Sequence, residues 1–230
     1  ICLTCHQGRS SGADVDAAIA ADSLKFKNIH YLPVGATIFG GDGGAGYEYG
    51  DNEYEAAFGH FSADATKCEY CHTPTAEDHS FHPKLSASCT GCHSEATDGI
   101  ESIRKNRGTD YDGDGDTDEN LADELHTLAD ALYAEMQASA DADGNPLIYS
   151  PTTYPYFFAD TNGNGEVDEG EAAYANSYKS WTPATLKASF NFQFYQKEHG
   201  AWAHHTNYMA QLLFDSIEDL GGDVEDFNRP

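Results

Sequence analysis

The clearest periodicity lies in the second half of the chain. Between Asn120 and Ser139, the apolar residues Leu121, Leu125, Leu128, Leu132 and Met136 return at steps of three and four, which puts them on one stripe of an amphipathic helix. Thr182 followed by Pro183 is a helix start, a capping hydroxyl and then a residue whose missing N–H is not needed in the first turn, and Gly200 stops what they open. A further helix is expected from about Asn207 to Leu220, with Met209, Leu212, Leu213 and Ile217 inward and Gly221 just past its end.

The first half has no such stripe beyond the short run from Val15 to Leu24. The segment GATIFGGDGGAGYEYG, Gly35 to Gly50, reads as a turn-rich loop with room for a short hairpin, because glycine interrupts both helical and strand periods. The expected fold is therefore mainly α with a large irregular, loop-rich fraction and a helical C-terminal half. Three regions are expected within one compact unit: 1–105, loop-rich; 106–180, acidic; and 181–230, helices that pack back on the first region.

Composition narrows the partners. With 12 Lys and Arg against 39 Asp and Glu in 230 residues, the formal charge of −27 repels nucleic acid and anionic lipid. No apolar run is long enough to span a bilayer, so no membrane span is expected. Cations are the natural partners of such a surface.

The cysteines supply the chemistry. All six lie in Cys-x-x-Cys-His units: Cys2, Cys5 and His6; Cys68, Cys71 and His72; Cys89, Cys92 and His93. Two thiols at that spacing reach the two vinyl groups of one porphyrin while the next imidazole reaches the iron. Disulfides would not require a histidine after every second cysteine, and three equivalent Cys₂His sets divide poorly into four-ligand zinc sites. Three covalent haem c groups are expected, and they, with side chains, would fill the core of region 1–105. The Gly35–Gly50 segment is expected to drape over porphyrin faces, with Tyr47 and Tyr49 as packing groups. Thioether attachment takes place outside the cytoplasm, so the sequence reads as a secreted, mature form whose Ile1 abuts the first pair.

Each iron needs a second axial ligand. Met136 and Met209 sit on helix stripes and read as core, so bis-histidine iron of comparatively low potential is expected. The distal candidates are His30, His60, His79 and His204, with His82 and His205 weaker; His126 and His199 read as structural. If all four leading candidates are ligands, one serves a haem on a neighbouring chain or an upstream segment.

Two acidic runs suggest calcium, one or two ions. Asp160, Asn162, Asn164, Glu166 (through its carbonyl), Asp168 and Glu171 stand at loop positions one, three, five, seven, nine and twelve, with Gly165 at six, the full EF-hand register. Asp110, Asp112, Asp114 and Asp116 repeat that spacing, but the twelfth position is Leu121, so Glu124, one helical turn on, is expected to close the second calcium loop. Asp118 and Asp123 are weaker candidates. SPTTYPYFF before Asp160 is aromatic and proline-bearing, so no helix enters that loop, and both sites read as structural staples.

The three motifs, CHQGR at Cys5 to Arg9, GATIFG from Gly35, the Asp160–Glu171 loop, and GAWAHHTNY followed by QLLFDSIEDL resemble the extracytoplasmic polyhaem c-type cytochromes. That group includes subunits polymerised into extracellular conductive filaments. The resemblance implies His204 as an axial ligand, with asparagine commonly where His205 stands. It also implies a histidine three residues after the second motif, where this chain has Thr75 and His79 would substitute. It further implies electron transport, with other cytochromes or redox partners. Iron closed by histidine on both sides has no open position for substrate, so a carrier rather than an enzyme is expected, extracellular or periplasmic, and in its sharpest form a homopolymer in which the N-terminal haem stacks against the next subunit. The rival expectation is a periplasmic carrier or the electron-entry subunit of a multihaem enzyme acting on small oxyanions.

Overall fold

The computed structural model describes residues 2–50, 52–60, 67–72, 81–104 and 108–230. In chain order its helices begin with α1 (Gly12–Ala20), α2 (Val34–Gly43), and the single turns α3 (Cys68–Cys71) and α4 (Ala87–Thr90). The long α5 (Leu121–Ala142) is followed by a hairpin of β1 (Leu147–Tyr149) and β2 (Phe157–Ala159), then by α6 (Pro183–Lys197), α7 (Ala201–His204) and α8 (Thr206–Leu220). The chain is thus mainly helical with a large loop fraction, and its C-terminal half is helical.

The predicted helices form where periodicity and caps place them. Thr182 accepts the Thr185 amide at 3.1 Å and returns its own N–H to Thr185 Oγ1 at 3.0 Å, a reciprocal cap on α6. Gly221 ends α8 at φ +86, the left-handed closure glycine permits. Helices α5, α6 and α8 pack on one another. Leu125, Leu128 and Leu132 from α5, Phe190 and Phe194 from α6, and Leu212 and Leu213 from α8 are all buried there. Met136 and Met209 lie fully inside this cluster, as packing groups.

Helix α6 is buried on nearly every side, from Ala188 through Phe194, because α1 covers the side that α5 and α8 leave open. That burial demands a partner for Asn191. Its carbonyl accepts the Tyr47 amide at 2.8 Å and its NH₂ donates to the Tyr47 carbonyl at 2.9 Å and Ser216 Oγ at 3.0 Å, so one side chain pins the 44–50 segment to two helices.

Gly35–Gly50 departs from the loop expected of it. The first part is helix α2, interrupted at Gly40 (φ +50, ψ −139), rather than a loop or hairpin. The glycines serve close approach. A Cβ on Gly40 would come within 2.5 Å of the Glu55 carbonyl, and one on Gly46 within 2.5 Å of Leu212, so segment 52–58 and α8 can pack only against bare backbone. Tyr47 and Tyr49 are packing groups of the buried cluster, and Tyr47 donates to Asp16 at 2.9 Å and Tyr49 to Ser216 at 3.0 Å. The buried cluster is made largely by side chains of α1, α5, α6, α8 and the hairpin, with Ala36, Tyr47, Tyr49, Tyr111, Trp181 and Ala201 added, and among the described residues neither Cys68–Cys71 nor Cys89 belongs to it.

Strands β1 and β2 pair antiparallel in the register Leu147↔Ala159, Ile148↔Phe158 and Tyr149↔Phe157. A strand, not a helix, therefore leads directly into Asp160. Among the described residues no helix is long and apolar enough to cross a membrane.

Candidate functional site

The three Cys-x-x-Cys-His units adopt one local geometry. In each, the histidine amide donates to the carbonyl of the first cysteine, at 3.1 Å for His6, 2.9 Å for His72 and 2.8 Å for His93. That single helical turn sets the two thiols, three residues apart, on one side, with the imidazole following at the end of the turn. All six thiols are free, exposed or only partly covered.

Burial first, and then the neighbouring Cys2 thiol, push the Cys68 thiol above its ordinary pKa. Burial and then Cys89 do the same to Cys71. The second unit thus has one thiol near the first unit and the other near the third.

The imidazoles of two units face histidines from distant parts of the chain. The rings of His72 and His204 have centroids 6.2 Å apart, and those of His60 and His93 are 6.3 Å apart. Two imidazoles bound through Nε2 on opposite sides of one metal, with metal–nitrogen bonds of about 2 Å, would set their ring centres roughly 6 Å apart. The second nitrogens are engaged as such ligation requires. His72 Nδ1 lies 2.7 Å from the Phe81 carbonyl, His6 Nδ1 3.1 Å from the Leu32 carbonyl and His204 Nδ1 2.7 Å from Glu198 Oε1. His93 Nδ1 lies 3.4 Å from Glu95.

The remaining histidines sort by environment. His205 is buried with both ring nitrogens occupied, Nε2 by the Ala56 carbonyl at 2.8 Å and Nδ1 by the Tyr208 amide at 3.3 Å, which makes it a clamp between α8 and segment 52–58. His30 stands on the segment that closes over the first unit, where the Arg9 amide donates to the Ile29 carbonyl and Leu32 holds His6. Its backbone is left-handed at φ +84, held by Asn28, and burial followed by the nearby Arg9 guanidinium pushes its pKa below the usual imidazole value, favouring a neutral ring. Among the described residues His6 forms no ring pair with another imidazole. His82 is exposed, and His79 lies outside the described residues. His126 is exposed, 3.6 Å from Asp130, and His199 is exposed at the end of α6.

Both acidic runs are folded into closed loops. Asp160 accepts amides from Gly163 and Gly165, each at 2.7 Å; burial alone would raise its pKa, but these donors, with those of Asn162 and Asn164, hold it below the ordinary carboxylate range. Glu171 turns back onto Thr161 N at 2.8 Å and Asp168 N at 3.1 Å, and Asp168 is reached by the amides of Asn162 and Asn164 at 2.7 and 2.8 Å. Asn164 Oδ1 accepts the Glu166 amide at 2.9 Å, which fixes the turn at position seven.

In the other loop Asp110, Asp112 and Glu124 bring carboxylate oxygens within 4.8 Å of one another, and Asp112, Asp114 and Glu119 do the same. Asp116 accepts the Asp118 amide at 2.8 Å. Glu124 is fully buried, paired with the Arg104 guanidinium and accepting the Tyr111 and Asp112 amides at 2.5 and 3.2 Å. Glu119 is pushed up to about 7, first by burial and then by Asp112, Glu124, Asp114 and Asp116. Spacing alone does not single out Glu119, at the tenth loop position, or Arg104; only the folded loop brings them to the carboxylates.

Taken together, these features are similar to a class, the polyhaem c-type cytochromes, of which this chain is a distant relative. In particular, the chain aligns at 29% identity over 250 positions with the C-type polyheme cytochrome OmcB in two strains of Geobacter sulfurreducens, covering 95% of this chain and 30% of that protein. It aligns equally, at 29% over 249 positions, with OmcC of the same organism, covering 95% of this chain and 29% of that one. The chain thus spans less than a third of the length of these curated relatives. No family model and no solved structure matches it.

Proposed function

We propose that this chain is an electron-transfer unit carrying three covalent haem c groups in sequence order, at Cys2, Cys5 and His6, at Cys68, Cys71 and His72, and at Cys89, Cys92 and His93. The observation that carries this reading is the axial spacing of His72–His204 and His60–His93, made by residues far apart in sequence. Haem iron, when bound with imidazole on both sides, supplies one-electron exchange without an open position for substrate. The chain's own part is to fix ring orientation through the Leu32 and Phe81 carbonyls and the Glu198 carboxylate. The similarity to polyhaem cytochromes supports the same reading, together with an extracytoplasmic location and redox-protein partners.

His204→Ala is expected to convert one low-spin haem to high spin, while His205→Ala leaves ligation intact and lowers stability. Electron paramagnetic resonance of the ferric protein separates the two. Loss of a low-spin signal in the His205 variant but not the His204 variant would reverse the assignment. His30 remains the candidate for the second side of the His6 iron, within the chain or across to another copy. A homopolymer joined at that end is the finer form of the proposal. An intrinsically five-coordinate iron at His6 that binds cyanide or nitrite at low concentration would favour the oxyanion-reducing alternative.

The acidic loops are proposed as two calcium sites. The first uses Asp160, Asn162, Asn164, the Glu166 carbonyl, Asp168 and Glu171, and the second uses Asp110, Asp112, Asp114, Asp116 and Glu124 with Glu119 added. Calcium at a hundred times its dissociation constant adds about 2.7 kcal/mol for each site that binds only the folded chain. Calcium is therefore expected to raise the melting temperature by several degrees, and Asp160→Asn with Asp112→Asn should abolish the rise. A thermal scan with and without a chelator reads this directly.

A further inference from the structure

Glu198 is 2% exposed and caps the end of α6, six residues before His204. Its Oε1 takes His204 Nδ1 at 2.7 Å and the Gly200 amide at 3.2 Å, while its Oε2 is buried with no hydrogen-bond partner. The cation nearest in sequence, Lys197, is turned away over the Tyr156 ring, 4.2 Å from its centre. A buried carboxylate left with one bare oxygen is costly unless a positive charge lies close by. The other unit histidines differ. His6 and His72 face neutral backbone carbonyls, and the Glu95 carboxylate near His93 is longer at 3.4 Å and partly exposed, so solvent screens it.

We infer that Glu198 is a positioning residue that sets the reduction potential of the haem held between His72 and His204 below that of the other two. This rests on the proposed His72–His204 ligation. The carboxylate on Nδ1 fixes the His204 tautomer with Nε2 toward iron and makes the imidazole a stronger donor. Its negative charge, acting through a medium of low dielectric, favours the ferric state, which carries one more positive charge than the ferrous. A haem held there that passed its electron to another haem or to a redox-protein partner would gain the positive charge that the bare Oε2 lacks, with no proton required.

Glu198→Gln keeps the shape and an acceptor oxygen but removes the charge. In a spectroelectrochemical titration of the full chain, one of three potentials should rise by the equivalent of a tenfold or greater shift toward ferrous, about 59 mV for one electron, with all haems still low spin. Asp130→Asn, which removes an exposed charge from α5, gives the background shift. In a His204→Ala background Glu198→Gln should have no further effect. Three unmoved potentials, a uniform shift no larger than that of Asp130→Asn, or an equal shift without His204 would overturn the inference. Should Glu198→Gln fail to fold, Glu198→Asp, which keeps the charge but lengthens the contact, should raise the same potential by a smaller amount, and no change there contradicts the inference. A wild-type protein without a His204-dependent low-spin centre would instead sink the parent reading.

Discussion

Cys68→Ala with Cys71→Ala is expected to leave a chain with two covalent haems in place of three and to break communication between them. The Cys68 thiol is close enough to Cys2, and Cys71 to Cys89, for each neighbour to shift its pKa, so the second unit is the proposed link between the others. Removing it also strands His204 and the buried Glu198 on α7 and at the end of α6 without the group they face. Stopped-flow or flash reduction should show the remaining centres taking up electrons independently, with intramolecular equilibration slowed by orders of magnitude. The matched change, Cys2→Ala with Cys5→Ala, also costs one haem but should leave rapid exchange between the second and third centres. Equal behaviour of the two double variants would contradict the linear order.

Glu124→Ala is expected to lower unfolding free energy by about 3–5 kcal/mol, the usual cost of stranding one partner of a buried ion pair. That is a large share of the roughly 5–15 kcal/mol by which domains are stable. Glu124 is fully buried and Arg104 is 4% exposed, and with the carboxylate gone the guanidinium retains only the Thr109 and Glu119 carbonyls, while the Tyr111 and Asp112 amides lose their acceptor. Urea denaturation with calcium chelated isolates this from ion binding. Adding Arg104→Met should recover part of the loss, because an apolar pair leaves no charge behind. The Lys187–Asp219 pair makes the contrast, being partly exposed on both sides, and Lys187→Met should change stability by less than about 1 kcal/mol. A Glu124→Ala effect no larger than that would mean water reaches the pair.

What the sequence makes legible is local. A helix stripe repeats within a few residues, and a Cys-x-x-Cys-His unit closes its own turn, so α5, α6, α8 and the three motifs can be read directly from spacing. Glu124, three residues past the normal twelfth loop position, is legible for the same reason: helix geometry carries it back to the loop. Axial pairing is different. The proposed pairs, His60–His93 and His72–His204, join segments 33 and 132 residues apart, and the proposed choice of His204 over His205 rests on which ring the Ala56 carbonyl and the Tyr208 amide already occupy. Glycine misleads for a physical reason, since a missing side chain serves free turning and tight packing alike; at Gly40 and Gly46 the packing of segment 52–58 and α8 decides. Glu198 and Arg104 carry no spacing signal at all, because their partners are brought to them by the tertiary fold.

The whole account depends on porphyrin bonded through thioethers to all three units. The direct measurement is the intact mass of the denatured chain after acid–acetone extraction, paired with its pyridine haemochrome spectrum. Three haems remaining on the polypeptide, lost one at a time as each cysteine pair is changed to alanine, is the expected result. A colourless polypeptide at its bare mass, with six alkylatable thiols, would contradict the account.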